Sequence, residues 1–541
     1  MPMSKNNSTP LNPLAQELND SIKSIAPTVY DLLSEKGTGI YYPSKGIIAQ
    51  SAEAKEQADP AYNATVGIAT DSKGPLSFPS ITKYFNTELI SPKEIFDYSP
   101  TYGQAKLRKL WQEHIRAVNP NVKDQAISMP VVGGGLTHCL SVAGQMFFDA
   151  GDTLILPDQI WGNYRLFYTT LNGVTIKQFP FLNREGFNLE GFKTILREEA
   201  EAKGEVRLIL NFPNNPTGYT PTKKEAQAIT ETFLELAHQG TKVLVILDEA
   251  YYGLFFGDEV QQESLFGSLC NAHENIVTVK ICGATKEFFV WGFRIGFITI
   301  GTKGRNHERV EELYQALEKK LGGIVRGTVS NCSSAAQNIL IKVLEDKSYI
   351  QDFKNNFNIL AERAERIKEI LSDGRYDDVF TPYPFNSGYF MLIKLKEVES
   401  EVLRKALLTK EKIGTISTAK YDLRIAFSCL ETKDIEHGTP FQIAVWKQII
   451  GIPRGKTLSY GEIAERIGRP QAYRAVGTAV GKNNFGVIVP CHRVLHTGKN
   501  KVGKFGGGEN IKKLYCTMKG CDLPIEGNIR LYSALSRIKL N

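Results

Sequence analysis

Near its end the chain reads "GVIVPCHRVLH", a cysteine between a proline and a histidine. A thiolate is a strong nucleophile, but an ordinary thiol, with a pKa of about 8.5, is only a few per cent ionised at neutral pH. An adjacent base supplies the missing activation, and His492 stands beside Cys491. A second set of groups lies far upstream. In "GATKEFFVWGFRIGF" Lys286 follows an apolar, β-branched run and Arg294 comes eight residues later. In "LDEAYYG" Asp248 ends another such run, with Tyr251 three residues on. "NFPNNPTGYTP" sets Asn215 before a Pro-Thr-Gly turn, and "LPDQIWGNY" offers Trp161 as a flat aromatic face. "VVGGGLTHCLSVA" is a glycine-rich turn running into a helix, a ready anion site.

Singly these residues are ordinary; a lysine after a strand is usually solvated, and an aspartate at a strand tip usually caps a turn. Together they answer the needs of one cofactor, pyridoxal phosphate. A lysine amine binds its carbonyl carbon, and a carboxylate keeps its ring nitrogen protonated so that the ring drains carbanion charge. Asn and Tyr suit the ring hydroxyl, an indole stacks on the ring, and arginine with backbone amides grips phosphate. Lys280, six residues before Lys286, is the rival lysine, but it lacks the arginine at the same spacing.

On these motifs, residues from about 60 to 436 resemble a class I/II aminotransferase of the fold-type-I pyridoxal phosphate family. The resemblance implies that Lys286 forms the Schiff base and carries the proton, that Asp248 pairs the ring nitrogen, and that Tyr251 and Asn215 reach the ring hydroxyl. It implies that Trp161 stacks on the ring, and that Arg294, Thr137 and the amides of Gly135 and Leu136 hold the phosphate. Tyr98, in "YSPTYG", matches the tyrosine that reaches a neighbouring subunit's phosphate, implying a homodimer. Arg424, in "YDLRIAFS", matches the arginine that forks onto a substrate α-carboxylate, with Gly67 of "TVGIAT" close by. The substrates implied are an α-amino acid and a 2-oxo acid. One departure is Gly283, where the family often has a phosphate-binding serine.

Elements must hold these groups in place. "DTLILPD", "EVRLILNF", "KVLVILDEAYY" and "IVTVKICGA" read as buried parallel strands, and "KKEAQAITETFLELAHQG" as a helix closed by Gly240. The alternation predicts an α/β sheet with helices on both faces and a site at the strands' carboxyl ends. At 541 residues several domains are expected. We expect an arm over 1–60 and an aminotransferase over 61–436, with a large α/β/α domain at about 90–320 and a small α/β domain from the flanking segments. The start "MPMSKNNSTP" has no apolar core of a secretory signal, and no apolar run reaches the roughly 18 residues that span a bilayer. Eight cysteines scattered without metal-like spacing favour free thiols. A cytoplasmic protein away from any membrane, without a metal, is the expectation.

The net charge of +7 is uneven. From His437 onward 17 Lys and Arg face 5 Asp and Glu, a surplus of +12, while the remainder sums to −5. Such a basic block suits a polyanion partner. Within it Phe441, Val445, Trp446, Ile449 and Ile450 recur at helical spacing. Ser459 can cap a short helix, "YGEIAERIG", and a second helix runs "AYRAVGTAVG", a helix-turn-helix pattern. Ala475, Gly477, Ala479 and Gly481 leave that second helix little bulk, while Arg474 projects, which suits approach to a minor groove and insertion into a base stack.

With "PCHRV" added, residues from about 438 to 520 resemble the DNA-binding, active-site domain of methylated-DNA–protein cysteine methyltransferases. The resemblance implies a small, mainly helical domain on double-stranded DNA, in which Cys491 irreversibly accepts an alkyl group from guanine O6. His492 takes its proton through water, Tyr460 helps flip the base and protonates the leaving guanine, Arg474 fills the vacated stack, and Asn483 braces the active-site turn. Departures are Phe505, where the family has tyrosine, and Lys519, where it has the glutamate that orients the histidine; Lys512 is kept. Glu509 or Asp522 could substitute for that glutamate. The tail at 521–541 resembles nothing. The sequence thus admits a bifunctional fusion, an aminotransferase whose appended module binds DNA with impaired transfer, or a DNA-binding regulator with a cofactor-binding sensor.

Overall fold

The computed structural model describes residues 11–41, 46–86, 88–183, 186–305, 307–372, 374, 376–435, 440–453, 456–481 and 491–495. Asn483, Phe505, Glu509, Lys512, Lys519, Asp522 and the tail lie outside the described residues. The chain divides into two compact units, residues 1–368 with 382–432 and residues 369–381 with 433–541.

In the first unit seven strands form one sheet: β1 (Val131–Gly133), β2 (Thr153–Pro157), β3 (Thr175–Phe179), β4 (Glu205–Asn211), β5 (Lys242–Asp248), β6 (Ile276–Cys282) and β7 (Gly296–Gly301). Their order is β1-β7-β6-β5-β4-β2-β3. The four apolar runs expected as strands are β2, β4, β5 and β6, mutually parallel and buried. β7 runs antiparallel to both β6 and β1. The link from β6 to β7 holds only two single turns, Ala284–Glu287 and Trp291–Phe293. That is too little to cross over the sheet, so the chain returns beside the strand it left.

Two helices illustrate the local logic. Helix α1 (Leu136–Phe147) follows β1 through Gly135, whose φ of 82° favours glycine. Helix α2 (Lys223–His238) starts in a capping box, Thr222 with Glu225, and buries Ile229, Phe233 and Leu236. A smaller antiparallel group holds β8 (Phe390–Leu395), β9 (Ile416–Ser417) and β10 (Asp422–Ala426), with β10 between the other two.

The second unit is built on helices α3 (Pro440–Ile450), α4 (Tyr460–Arg466) and α5 (Tyr473–Gly481). Val445, Trp446 and Ile449 of α3 pack with Ile463 and Ala464 of α4 and Val476, Ala479 and Val480 of α5. Phe441 and Ile450 pack against this core while partly buried. The Trp446 indole donates to the Ala479 carbonyl at 2.8 Å, locking α3 to α5. Two short strands, β11 (Leu458–Ser459) and β12 (Val494–Leu495), pair in parallel.

Ser459 caps α4 as expected: its hydroxyl accepts from Glu462 N at 3.1 Å, and the Glu462 carboxylate accepts from Ser459 N at 2.6 Å. Losing such a cap costs about 1 kcal/mol. Ser459→Ala should therefore speed hydrogen exchange at the α4 and α5 amides about fivefold while leaving the seven-stranded sheet unchanged. Equal exchange in both proteins would show that the cap contributes nothing.

Candidate active site

The parallel strands end level. Asn211, the last residue of β4, sits opposite Asp248, the last of β5. The Asn211 amide donates to the Asp248 carbonyl at 2.8 Å, and its side-chain oxygen accepts from Asn215 N at 2.8 Å. One side chain thus fixes both strand tips and the turn that presents Asn215. Beyond β6 the first turn carries Lys286. A cavity of ≈ 420 Å³ opens here, and Lys286, Asp248, Tyr251, Asn215, Trp161, Arg294, Leu136, Thr137, Arg424 and Gly67 all line it.

Burial pulls the Lys286 ammonium down to about 8; Asp248 opposes this and Arg294 adds to it. Its Nζ lies 5.0 Å from the centre of the Tyr251 ring. Asp248 is held above the usual carboxylate range by burial, against the pull of a hydrogen bond from the buried Tyr164 phenol and of Lys286. Burial lowers Arg424 to about 10, so it stays charged at neutral pH. It donates to Asn215 Oδ1 at 3.1 Å and to the Thr65 carbonyl at 2.9 Å, lies over Phe390 and leaves its buried Nε without a partner. Tyr251 is pushed up by burial and keeps its proton.

Lys280 differs. It is the more deeply buried of the two, Lys286 being half-buried at the cavity, and pairs with Glu249, whose carboxylate also takes the Ser264 hydroxyl. Burial alone pulls Lys280 down, but Glu249, Cys282 and Glu287 outweigh it and hold the ammonium above its ordinary value. A permanently protonated amine in an ion pair is no nucleophile, and Lys280 does not line the cavity.

The glycine-rich turn departs from expectation in one detail. The Gly135 N–H donates to the Gly133 carbonyl at 2.8 Å, and the Gly134 N–H donates to His138 Nδ1 at 3.0 Å. The Gly135 amide is therefore already used, and the first turn of α1, from Leu136 and Thr137, supplies amides for an anion. Gly135 serves by being small: a Cβ there would sit 2.5 Å from Arg294 Nη2. Gly283 is likewise steric, because a Cβ would meet the Ile295 carbonyl oxygen at 2.7 Å. Tyr98 lies outside the cavity and is 91 % exposed.

Among residues the sequence reading missed, Asn211 was signalled by a polar residue closing a β-branched run. Tyr164, Thr285, Trp291, Phe390 and the arm residues Ile47 and Ser51 also belong to the site, and nothing in the local pattern announces them.

In the second unit Tyr460, at the start of α4, and Cys491, three residues before β12, lie close enough for the thiol to act on the phenol. Both belong to the helical core, with Cys491 4 % exposed and His492 buried beside it. The Arg493 guanidinium donates to the Ile452 carbonyl at 2.6 Å and anchors this turn. Burial, with Cys491, raises Tyr460 and keeps its phenol protonated. On α5, Arg474, Ala475 and Thr478 face solvent. Ala479 does not: it is 2 % exposed within the helical core, and its carbonyl takes the Trp446 indole. Its small size serves helix packing, so the expected contact with DNA is corrected for that residue.

Compared with known proteins, residues 65–439 match the model of a family described as aminotransferase class I and II. The chain belongs to that family. An aminotransferase from Anaerococcus prevotii shares 24% identity at a TM-score of 0.63, covering 80% of this chain and 97% of its own. A Pyrococcus horikoshii kynurenine aminotransferase, solved with PMP, shares 15% at 0.61, covering 75% and 95%. These likenesses show the fold. Residues 440–519 match the DNA-binding domain of 6-O-methylguanine DNA methyltransferase. The methylated-DNA–protein-cysteine methyltransferase of Mycobacterium bovis is 47% identical over 117 residues, 21% of this chain and 70% of its own. A probable one from Acanthamoeba polyphaga mimivirus is 54% identical over 78 residues, 14% and 50%. The chain therefore joins an aminotransferase to a methyltransferase domain. No helix among the described residues is long and apolar enough to cross a membrane.

Pyridoxal phosphate is the cofactor of the aminotransferase family, and the residues present fit it. The cavity combines a buried amine, a buried carboxylate at its floor, an indole wall and a helix N-terminus beside an arginine. Thr285 Oγ1 and Arg424 Nε are buried there without a partner. Only the neutral amine attacks a carbonyl, so the sign of the pH effect follows. Cofactor uptake by the cofactor-free protein should quicken as pH rises, with a midpoint near 8 set by Lys286. Stopped-flow absorbance between pH 6.5 and 9.5 measures it; a midpoint near 10 would place the reacting amine elsewhere.

Proposed function

We propose that this chain is a bifunctional enzyme: it transaminates an α-amino acid with a 2-oxo acid, and it repairs O6-alkylguanine in double-stranded DNA by moving the alkyl group to Cys491. The first reading rests on one observation, the convergence on a single cavity of Lys286, Asp248, Tyr251, Arg294 and Arg424 from separate segments of the chain.

Bound there, pyridoxal phosphate would supply an electron sink for the substrate's Cα carbanion. Asp248 would hold a proton on the ring nitrogen; its burial makes a cationic partner strongly favoured. Arg424 would fork onto the substrate α-carboxylate, its spare Nε finding a partner. Arg294, Thr137 and the first-turn amides of α1 would hold the phosphate, Trp161 would stack on the ring, and Tyr251 and Asn215 would take its hydroxyl. Lys286, its ammonium brought down to about 8 so that a reactive neutral fraction is available, would accept the Cα proton at Nζ and return it to the opposite carbon. We further propose a homodimer in the cytoplasm. The exposure of Tyr98, Phe85 and Phe96 outside their own cavity supports a second copy.

Borohydride should fix the cofactor to the peptide containing "GATKEFF", and Lys286→Ala should abolish transamination. Label on Lys280, or full activity in the Ala variant, would sink the assignment.

In the second unit, Cys491 Sγ would attack the alkyl carbon after His492 takes its proton. The carbon–O6 bond breaks, its electron pair stays on O6, and the guanine leaves protonated by Tyr460, whose burial keeps that proton available. Arg474 and Ala475 would face the duplex. Intact mass before and after incubation with methylated-guanine DNA should rise by one methyl group, on Cys491. If Lys519 weakens the relay, transfer should be slow, and Lys519→Glu should speed single turnover within the ~10²–10⁴-fold span of general base catalysis. Cys491→Ser should remove transfer and leave DNA binding. A methyl group on another cysteine would refute the role of Cys491, and an unchanged rate in Lys519→Glu would refute that of Lys519.

A further inference from the structure

Resting on the reading of this cavity as an aminotransferase site, we propose that the N-terminal segment makes it selective for α-amino acids with uncharged, apolar side chains. Helix Ile47–Gln57 presents Ile47 and Ser51, four residues apart and so on one face, to the cavity. Its position is fixed from behind. The Gln50 side chain donates to the Ser417 carbonyl at 3.1 Å and accepts from Ser417 N at 2.8 Å, pinning the helix to β9 like an extra strand partner. Glu53 accepts from Arg404 at 2.9 Å, and Ala54 is fully buried. The helix is thus a fixed wall of the site.

Val66, Trp161 and Trp291 also line the cavity. Among the described residues that line it, the cations are Lys286, Arg294 and Arg424, and the acid is Asp248. All four are already engaged by the reaction: Lys286 with the carbonyl carbon, Arg294 with phosphate, Arg424 with the α-carboxylate and Asp248 with the ring nitrogen. Asp248 is further engaged by the Tyr164 phenol. A second carboxylate or an ammonium on the substrate side chain would lose its water against Ile47, Val66 and the Trp291 indole without a counter-charge, an unfavourable exchange. An apolar side chain gains from the same walls.

The test uses the full chain loaded with pyridoxal phosphate and carboxylates that lack the α-amine and so cannot be transaminated at Cα. Titration calorimetry with 3-phenylpropanoate, 4-methylpentanoate, succinate and 6-aminohexanoate reads side-chain selection as binding. The first two should bind at least about tenfold more tightly than the last two, the scale by which pockets discriminate side chains. Ser51→Arg, which places a guanidinium in the wall, should shift the succinate-to-4-methylpentanoate ratio toward succinate by about tenfold. An unchanged ratio overturns the role of the N-terminal wall. Succinate or 6-aminohexanoate binding as tightly as the apolar pair in the wild type overturns the selectivity alone, with transamination left standing. No binding of any of the four, together with no spectral change on adding amino acids, overturns the aminotransferase reading beneath it as well.

Discussion

A single desolvated amine organises the first unit. Lys286 has lost its water, and the groups around it determine its charge. Two buried lysines only six residues apart show how much this matters. Lys280 is given Glu249 as a direct partner and stays an ammonium, a piece of structure. Lys286 is given Asp248 nearby but Arg294 as well, and the balance brings its ammonium down to about 8. Lys280 is the more buried of the two and still keeps its charge; the partner decides. The level strand ends, the Asn211 brace and the Tyr164 phenol keep Asp248 in position, so that its charge acts on the cavity.

Much of this was legible. Strand tips are where an open sheet presents chemistry, so Asn215, Asp248 and Lys286 could be placed from β-branched runs closed by polar residues. The amphipathic face of α3 and the cap at Ser459 were equally visible, because period and cap residues are local properties. What escaped the reading is set by through-space packing. The Gly135 amide turns back on Gly133, and no pattern distinguishes a used amide from an open one. Ala479 reads as a small residue on a slim helix, yet position in the turn puts it under Trp446. Ile47 and Ser51 are far from the site in sequence, and the Gln50 clasp on Ser417, with the Glu53–Arg404 pair, brings them to it.

Gly283 illustrates how a departure from a family pattern can have a steric cause. A serine there would add a hydroxyl for phosphate, but its Cβ would press on the Ile295 carbonyl. The chain leaves β6 and re-enters as antiparallel β7 within a short link, and that return brings two backbones together at Gly283. The buried, unpartnered Thr285 hydroxyl lines the same cavity two residues later. Donor capacity is therefore present near the amine without the serine, and the glycine belongs to the strand geometry.

Both units bury a nucleophile, yet burial acts on the two in opposite senses. It favours whichever form is uncharged. For an amine the uncharged form is the reactive one, so desolvation works in favour of Lys286. For a thiol the uncharged form is the inert one. The first unit contains its own controls: burial pushes Cys282 up to about 12 and Cys332 and Cys270 up to about 11. Those thiols are packing groups. A cysteine in the helical core of the second unit would share their fate unless a base were built in next to it, the part that His492 takes in the proposed reaction. The same burial keeps the Tyr460 phenol protonated, as the proposed transfer to DNA-derived guanine would require of a proton donor. Lysine chemistry thus requires a dry cavity with balanced charges, and cysteine chemistry requires a dry core plus a proton acceptor. The two halves of this chain are built on that difference.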